Sequence, residues 1–183
     1  MRKFKVCLLE VTMFRGVPSI VDVEASGFGP HSYPIEIGVV RSNGDRYCSL
    51  ILPAEEWVFW DEGAEKVHHI SREILEKHGK PLHVVAEELN TFLEGETVYT
   101  DGWVVDSTWI KQLYFSAHKQ MYFSVSSLEM ILKEPQMEIW HAVKDELEAQ
   151  KEGNRHRASF DAALIQETFV KTAALTTSPA RHV

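Results

Sequence analysis

Two acids stand one residue apart in the stretch Ile20-Val21-Asp22-Val23-Glu24-Ala25-Ser26-Gly27. The apolar residues around them read as a short buried strand that stops at a glycine. Strand side chains alternate between faces, so Asp22 and Glu24 point one way while Val21 and Val23 point the other. Paired carboxylates repel each other, and each costs free energy if desolvated. A cation between them relieves both penalties. Hard divalent ions, magnesium or manganese, prefer such oxygens. The question is whether the chain brings further acids to the same ion.

Asp106 and Asp161 are the candidates. Asp106 opens a helical pattern whose apolar face is Trp109, Ile110 and Leu113, at offsets of three, four and seven. Asp161 has Leu164, Ile165 and Phe169 at three, four and eight. Each acid therefore lies on a face that packs inward, near a helix start. An acid there serves either as a helix-start residue or as a ligand aimed at the sheet. For Asp161 an ion pair with Arg157 or Lys171 is the structural alternative. His156 lies five residues before Asp161 and does not share its helical face. It is read on a loop after Gly153-Asn154, leaning over the same site.

These residues need elements to hold them. Residues 20–24 form the acidic strand, and Tyr33 to Val40 a second strand containing Glu36. Asn43-Gly44 is a hairpin turn signal, and Arg46 to Leu52 a third strand. The result is an antiparallel three-strand meander. Short helices are read near 62–67 and 71–77, and a clearer one from Pro81 to Leu93, ended by Gly95. Thr97 to Thr100 is a fourth strand, and Asp106 to about Ala117 a helix. Tyr122 to Val125 is a short fifth strand. Helices follow near 127–132, 136–151 and 158–173. Residues 1–19 read as an extension, with strand-like composition over Phe4 to Phe14, and 176–183 as a tail.

The order of these signals resembles the DEDDh 3′–5′ exonuclease family, of the RNase T and proofreading-epsilon type. The matching text is Val21 to Gly27, Ile35-Glu36-Ile37-Gly38-Val39-Val40, Val105-Asp106 with Leu113, and His156-Arg157-Ala158-Ser159-Phe160-Asp161-Ala162. Val67-His68-His69-Ile70 resembles the family's His-Gly-Ile segment, with His69 in the glycine's place. Asp101 and Gly102 stand where the family often has His-Asn, and Val105 where it usually has Phe. Asp101 competes for the role of Asp106, which has the better helical context.

The resemblance covers about residues 18–173. It implies an α/β, RNase H-like mixed five-stranded sheet: the antiparallel meander plus parallel strands, flanked by helices, as an exonuclease domain over 20–175. It implies two divalent ions, Mg2+ or Mn2+, held by Asp22, Glu24, Asp106 and Asp161, with His156 as general base. The implied reaction releases 5′-nucleoside monophosphates from the 3′ ends of single-stranded DNA or RNA. Phe28 matches a position that packs on the terminal base. The backbone around Ala25, Ser26 and Gly27 lies beside the 3′-hydroxyl. Trp57, Phe59 and Trp60 read first as core and second as a stacking platform.

A formal net charge of −8 argues against a broad basic surface for duplex binding. Two cysteines, Cys7 and Cys48, make no disulfide framework and point to a reducing, cytoplasmic setting. No apolar run approaches the ~20 residues of a membrane span. The competing expectations are a catalytically silent nucleic-acid-binding module and a subunit active only in a larger nucleic-acid-processing complex. A homodimer is a further expectation.

Overall fold

The computed structural model describes residues 16–151 and 156–177. The segment Phe4 to Phe14, the Gly153-Asn154 loop and residues 178–183 of the tail lie outside the described residues. Among the described residues, five strands and six α-helices are formed: β1 (Ser19–Ala25), β2 (Pro34–Val40), β3 (Arg46–Leu50), α1 (Glu62–His68), α2 (Arg72–His78), α3 (Leu82–Leu93), β4 (Thr97–Thr100), α4 (Trp103–Ser116), β5 (Ser124–Ser127), α5 (Glu134–Gln150) and α6 (Ala158–Thr176). The sheet order is β3-β2-β1-β4-β5. β1, β2 and β3 pair antiparallel, while β4 joins β1, and β5 joins β4, in parallel. This is the expected meander with parallel additions, and it places the acidic strand at the centre.

The meander follows from local chemistry. At the Asn43-Gly44 turn Gly44 has φ 91°, a conformation glycine adopts without a Cβ penalty. Arg41 and Asp45 close the turn through an amide-to-carbonyl bond of 2.8 Å. Apolar residues then cover both faces of the sheet. Val21, Val23 and Ile35 pack with Leu89, Leu93, Ile110 and Leu113 of α3 and α4. Ile20 and Val40 pack with Trp140 of α5 and Ala162, Ile165 and Phe169 of α6. Ile20, Asp22 and Glu24 alternate with these valines, so the two acids face the α6 side.

The close approach of α6 depends on a missing side chain. Gly38 on β2 is the direct partner of Asp22 on β1. A Cβ there would lie 2.2 Å from the Ala158 carbonyl carbon and 2.3 Å from the Ser159 nitrogen. The helix therefore begins in backbone contact with the sheet. Glu36, fully buried two residues earlier, fastens it. Its carboxylate accepts from Arg157 Nε at 3.0 and 3.1 Å, from Arg157 Nη2 at 2.5 Å, and from the Ala158 amide at 2.9 Å.

Several boundaries differ from the sequence reading. α4 starts at Trp103, three residues before Asp106, because Gly102 supplies its N-cap position. β5 runs over Ser124–Ser127 rather than Tyr122–Val125, in register with Thr97–Thr100 of β4. The stretch 127–132 makes only a 3-10 turn, Leu128–Met130. α6 continues to Thr176, where Thr168, Thr172 and Thr176 bond back to carbonyls of the preceding turn. No helix among the described residues is long and apolar enough to cross a membrane.

Candidate metal centre

Three elements converge at the C-terminal ends of β1 and β4. β1 contributes Asp22 and Glu24, which are half-buried while Val21, Val23 and Ala25 between and beside them are buried. α6 contributes Asp161 from its first turn. One carboxylate oxygen from each of these three residues lies within 4.8 Å of the others. α4 contributes Asp106, buried at the wall of the same cleft. Thr100 at the end of β4 donates its hydroxyl to Asp106 Oδ2 and accepts from the Gly102 amide at 2.9 Å. That bond fixes the Asp106 rotamer and leaves its other oxygen free of this partner.

The cleft has a volume of about 570 Å³, and His156 lines it together with Asp22, Glu24 and Asp106. His156 is exposed and has φ 58°. A left-handed residue one position before the N-cap Arg157 turns the chain toward α6. The structural alternative for Asp161 does not form: Arg157 pairs with Glu36, and Lys171 with Glu146.

The acids resist ionising together. Burial, followed by the Asp106, Asp161, Glu24 and Asp101 carboxylates, holds Asp22 well above the ordinary range. Burial and the Asp161, Glu36 and Asp106 charges push Glu24 up to about 7, against the pull of Arg157. Burial pushes Asp106 to about 7; the Thr100 hydroxyl and Lys144 oppose it, and Asp101 adds to it. Burial likewise raises Asp161, with His156 and Lys144 opposing. Neighbouring carboxylates that each disfavour the other's charge are a group that could hold a cation. Oxygen-only donors suit a hard divalent ion.

The remaining predicted residues divide. Ala25, Gly27 and Phe28 line the cleft. Phe28 is 74% exposed and leans on Trp109 with ring centroids 6.1 Å apart. Gly27 has φ 145°, and a Cβ there would meet Asp61 at 2.6 Å. Ser26 is fully buried beneath them: its amide donates to Tyr33 O at 2.9 Å, and its hydroxyl accepts from the Tyr33 amide at 3.2 Å. Trp57 belongs to the core, stacked on Tyr33 at 5.1 Å, and Phe59 and Trp60 pack against that core.

Sequence reasoning missed Thr100, the cleft-lining Asp61, and the ion pair of Asp101 with Lys144 at 2.5 Å. His68 is buried in the cleft wall, with Nδ1 accepting from the Ile70 amide at 3.1 Å. Its Nε2 therefore carries the proton of the neutral ring and has no partner among the described residues. Only the Thr100-Asp101-Gly102 turn before the helix was a local signal. The other contacts join distant segments.

No protein-family model matches the chain. No curated protein matches it either. Solved structures do. The complex of E. coli exonuclease I with a dA16 oligonucleotide matches with TM-score 0.64 and 15% identity, covering 86% of this chain and 41% of that one. The zinc-bound form of the E. coli exonuclease I complex with single-stranded DNA matches with TM-score 0.66 and 15% identity, covering 89% and 42%. A product-bound exonuclease I structure matches with TM-score 0.59 and 15% identity, covering 88% and 43%. The chain thus spans about two fifths of the length of these proteins. At this identity the likeness is one of fold: an α/β, RNase H-like exonuclease fold.

Proposed function

We propose that the chain is a metal-dependent 3′–5′ exonuclease of the DEDDh type acting on single-stranded nucleic acid. The observation that carries this reading is the meeting of Asp22, Glu24 and Asp161 oxygens within 4.8 Å beside a cleft that Asp22, Glu24, Asp106 and His156 line. The exonuclease I complexes, with single-stranded DNA in one and product in another, support the substrate class.

Two divalent ions would supply stabilisation of the entering and leaving oxygens of an in-line displacement at phosphorus. Asp22, Glu24 and Asp161 would hold the first, and Asp22 with Asp106 the second. Thr100 keeps Asp106 in one rotamer throughout. His156, at the open rim, accepts the proton of the attacking water as general base. Water adds to phosphorus, the bond to the 3′-oxygen of the penultimate nucleotide breaks, and a 5′-nucleoside monophosphate leaves. Phe28 and the wall around Val67 and His68 take the terminal base. Phe28, 74% exposed, offers a ring face.

The test is hydrolysis of 5′-labelled single-stranded DNA and RNA with Mg2+ or Mn2+, with an EDTA control and the Asp161→Ala and His156→Ala variants. Shortening from the 3′ end that is lost in all three controls is the expected result. Bound metal with no shortening of either oligomer would overturn the stand-alone enzyme and leave the partner-dependent subunit.

A further inference from the structure

One acid of the cleft stands apart from the proposed metal ligands. Asp61, the residue before α1, lines the cleft together with Gly27 and Phe28. Two bonds fix it. Its amide donates to Ser26 O at 2.9 Å, and its Oδ1 accepts from the Gly63 amide at 2.7 Å. The second oxygen, Oδ2, has no hydrogen-bond partner among the described residues, and Asp61 is exposed. Oδ2 lies 3.5 Å from the point where a Cβ on Gly27 would stand. With φ 145° and no Cβ, Gly27 leaves bare backbone beside this oxygen. Gly27 follows Glu24 in the chain and directly precedes Phe28. A nucleotide with its phosphate at the acid cluster and its base on Phe28 therefore lays its sugar along Gly27, next to Asp61.

We propose that Asp61 reads the sugar of the terminal nucleotide: its Oδ2 accepts a hydrogen bond from a 2′-hydroxyl, so that the protein prefers RNA 3′ ends to DNA 3′ ends. This rests on the exonuclease reading above. An ionised carboxylate only accepts hydrogen bonds. It repels phosphate and suits an uncharged donor. Between the phosphate and the base of a nucleotide, the donors are the sugar hydroxyls. The 2′-carbon is bonded to the carbon that carries the base, so its hydroxyl lies on the base side of the sugar, where Gly27 adjoins Phe28. That hydroxyl is also the group by which a protein tells RNA from DNA. Because the Ser26 carbonyl and the Gly63 amide already hold Asp61, little side-chain ordering opposes the contact.

The experiment measures kcat/KM of the whole chain with Mn2+ on single-stranded DNA oligomers that differ only in the last sugar: deoxyribose, ribose or 2′-O-methylribose. The parent is expected to release the ribose end faster than the deoxyribose end, on the order of tenfold or more. The 2′-O-methyl end, which has no donor, is expected to be no better than deoxyribose. Asp61→Ser keeps a hydroxyl to cap α1 and has no second oxygen. It is expected to bring the ribose-to-deoxyribose ratio close to one. Asp61→Asn keeps the capping oxygen and puts an amide where Oδ2 was. It is expected to lose the distinction between ribose and 2′-O-methylribose, and it carries the test if thermal unfolding shows that Asp61→Ser does not fold. A cap that only supports α1 predicts that both variants slow all ends by one factor and keep the parent ratio. That result, or equal release of ribose and deoxyribose ends by the parent, overturns the sugar reading alone. No release of any end overturns the exonuclease reading, and this inference with it.

Discussion

His156 is the residue on which chemistry and geometry meet most visibly. It is exposed at the cleft rim and held in a left-handed backbone conformation, which costs a non-glycine residue roughly 1–2 kcal/mol. The first turn of α6, anchored by Glu36 and Arg157, fixes where that rim lies. Replacing His156 by Ala removes a proton acceptor and no oxygen ligand. The expected outcome is a loss of about 10²–10⁴-fold in kcat with Mn2+ affinity unchanged, measured by single-turnover hydrolysis and by calorimetry. Asp22→Asn is expected to lose both. The four acids were legible in the sequence because each sits in a short local pattern, alternation in a strand or an apolar helical face, and His156 because it precedes Asp161 at the spacing the family resemblance carries. Ser26 was not, because a strand-to-turn sequence does not reveal that Tyr33 takes up its amide and hydroxyl.

At the scale of elements, the start of α6 is secured by one buried ion pair. Glu36 is fully buried, whereas Arg157 remains about a third exposed. Cutting the pair from the Arg157 side strands a carboxylate in the core, with the Ala158 amide as its main remaining donor. Arg157→Met is therefore expected to cost about 3 kcal/mol, seen as a lower denaturant midpoint. It is also expected to lower the hydrolysis rate, because the helix start that carries Asp161 loses its anchor. The sequence displayed Glu36 and Arg157 as separate residues 121 positions apart, so their partnership was invisible to periodicity. The same reason explains the misplaced β5. Four residues of parallel edge strand carry almost no alternation, and register with β4 decides where they begin. The meander and α6 read well because hairpin turns and apolar faces are local signals.

At the scale of the molecule, the site opposes the fold that builds it. Its four acids come from β1, α4 and α6 and meet only when the sheet has closed. All four carboxyls are raised above their ordinary values, Glu24 and Asp106 to about 7. The folded state thus holds protons more tightly than the unfolded chain. The resulting stabilisation is fully present below about pH 4, the unfolded carboxyl range, and is lost as pH rises through the folded values. In EDTA the unfolding temperature is expected to fall between about pH 5 and pH 8. Asp22→Asn is expected to flatten that slope. On the proposed metal reading Mn2+ would bind the charged acids of the folded state, so it is expected to raise the unfolding temperature most at the alkaline end. Calorimetry at several pH values, with and without the ion, checks all three expectations. The depressed carboxyls of Glu87, Glu88 and Glu146, each bonded to a lysine, act in the opposite direction and at more acidic pH.

The bare backbone of Gly38 has one more consequence, and it concerns ionic radius. Opposite Asp22, nothing but main chain separates the sheet from the first turn of α6. Main chain held in hydrogen-bonded elements yields less than side chains do, so the spacing between Asp22 and Asp161 is stiff. A stiff cradle sorts ions by size: magnesium sits about 2.1 Å from its oxygens, and calcium about 2.3–2.6 Å. Gly38→Ala would push α6 outward at a cost of roughly 1–3 kcal/mol. It would also widen the cradle. The expected signature is a weaker preference for Mn2+ over Ca2+ in competition titrations, so that one added methyl group, itself out of reach of any ion, changes which ion the protein prefers.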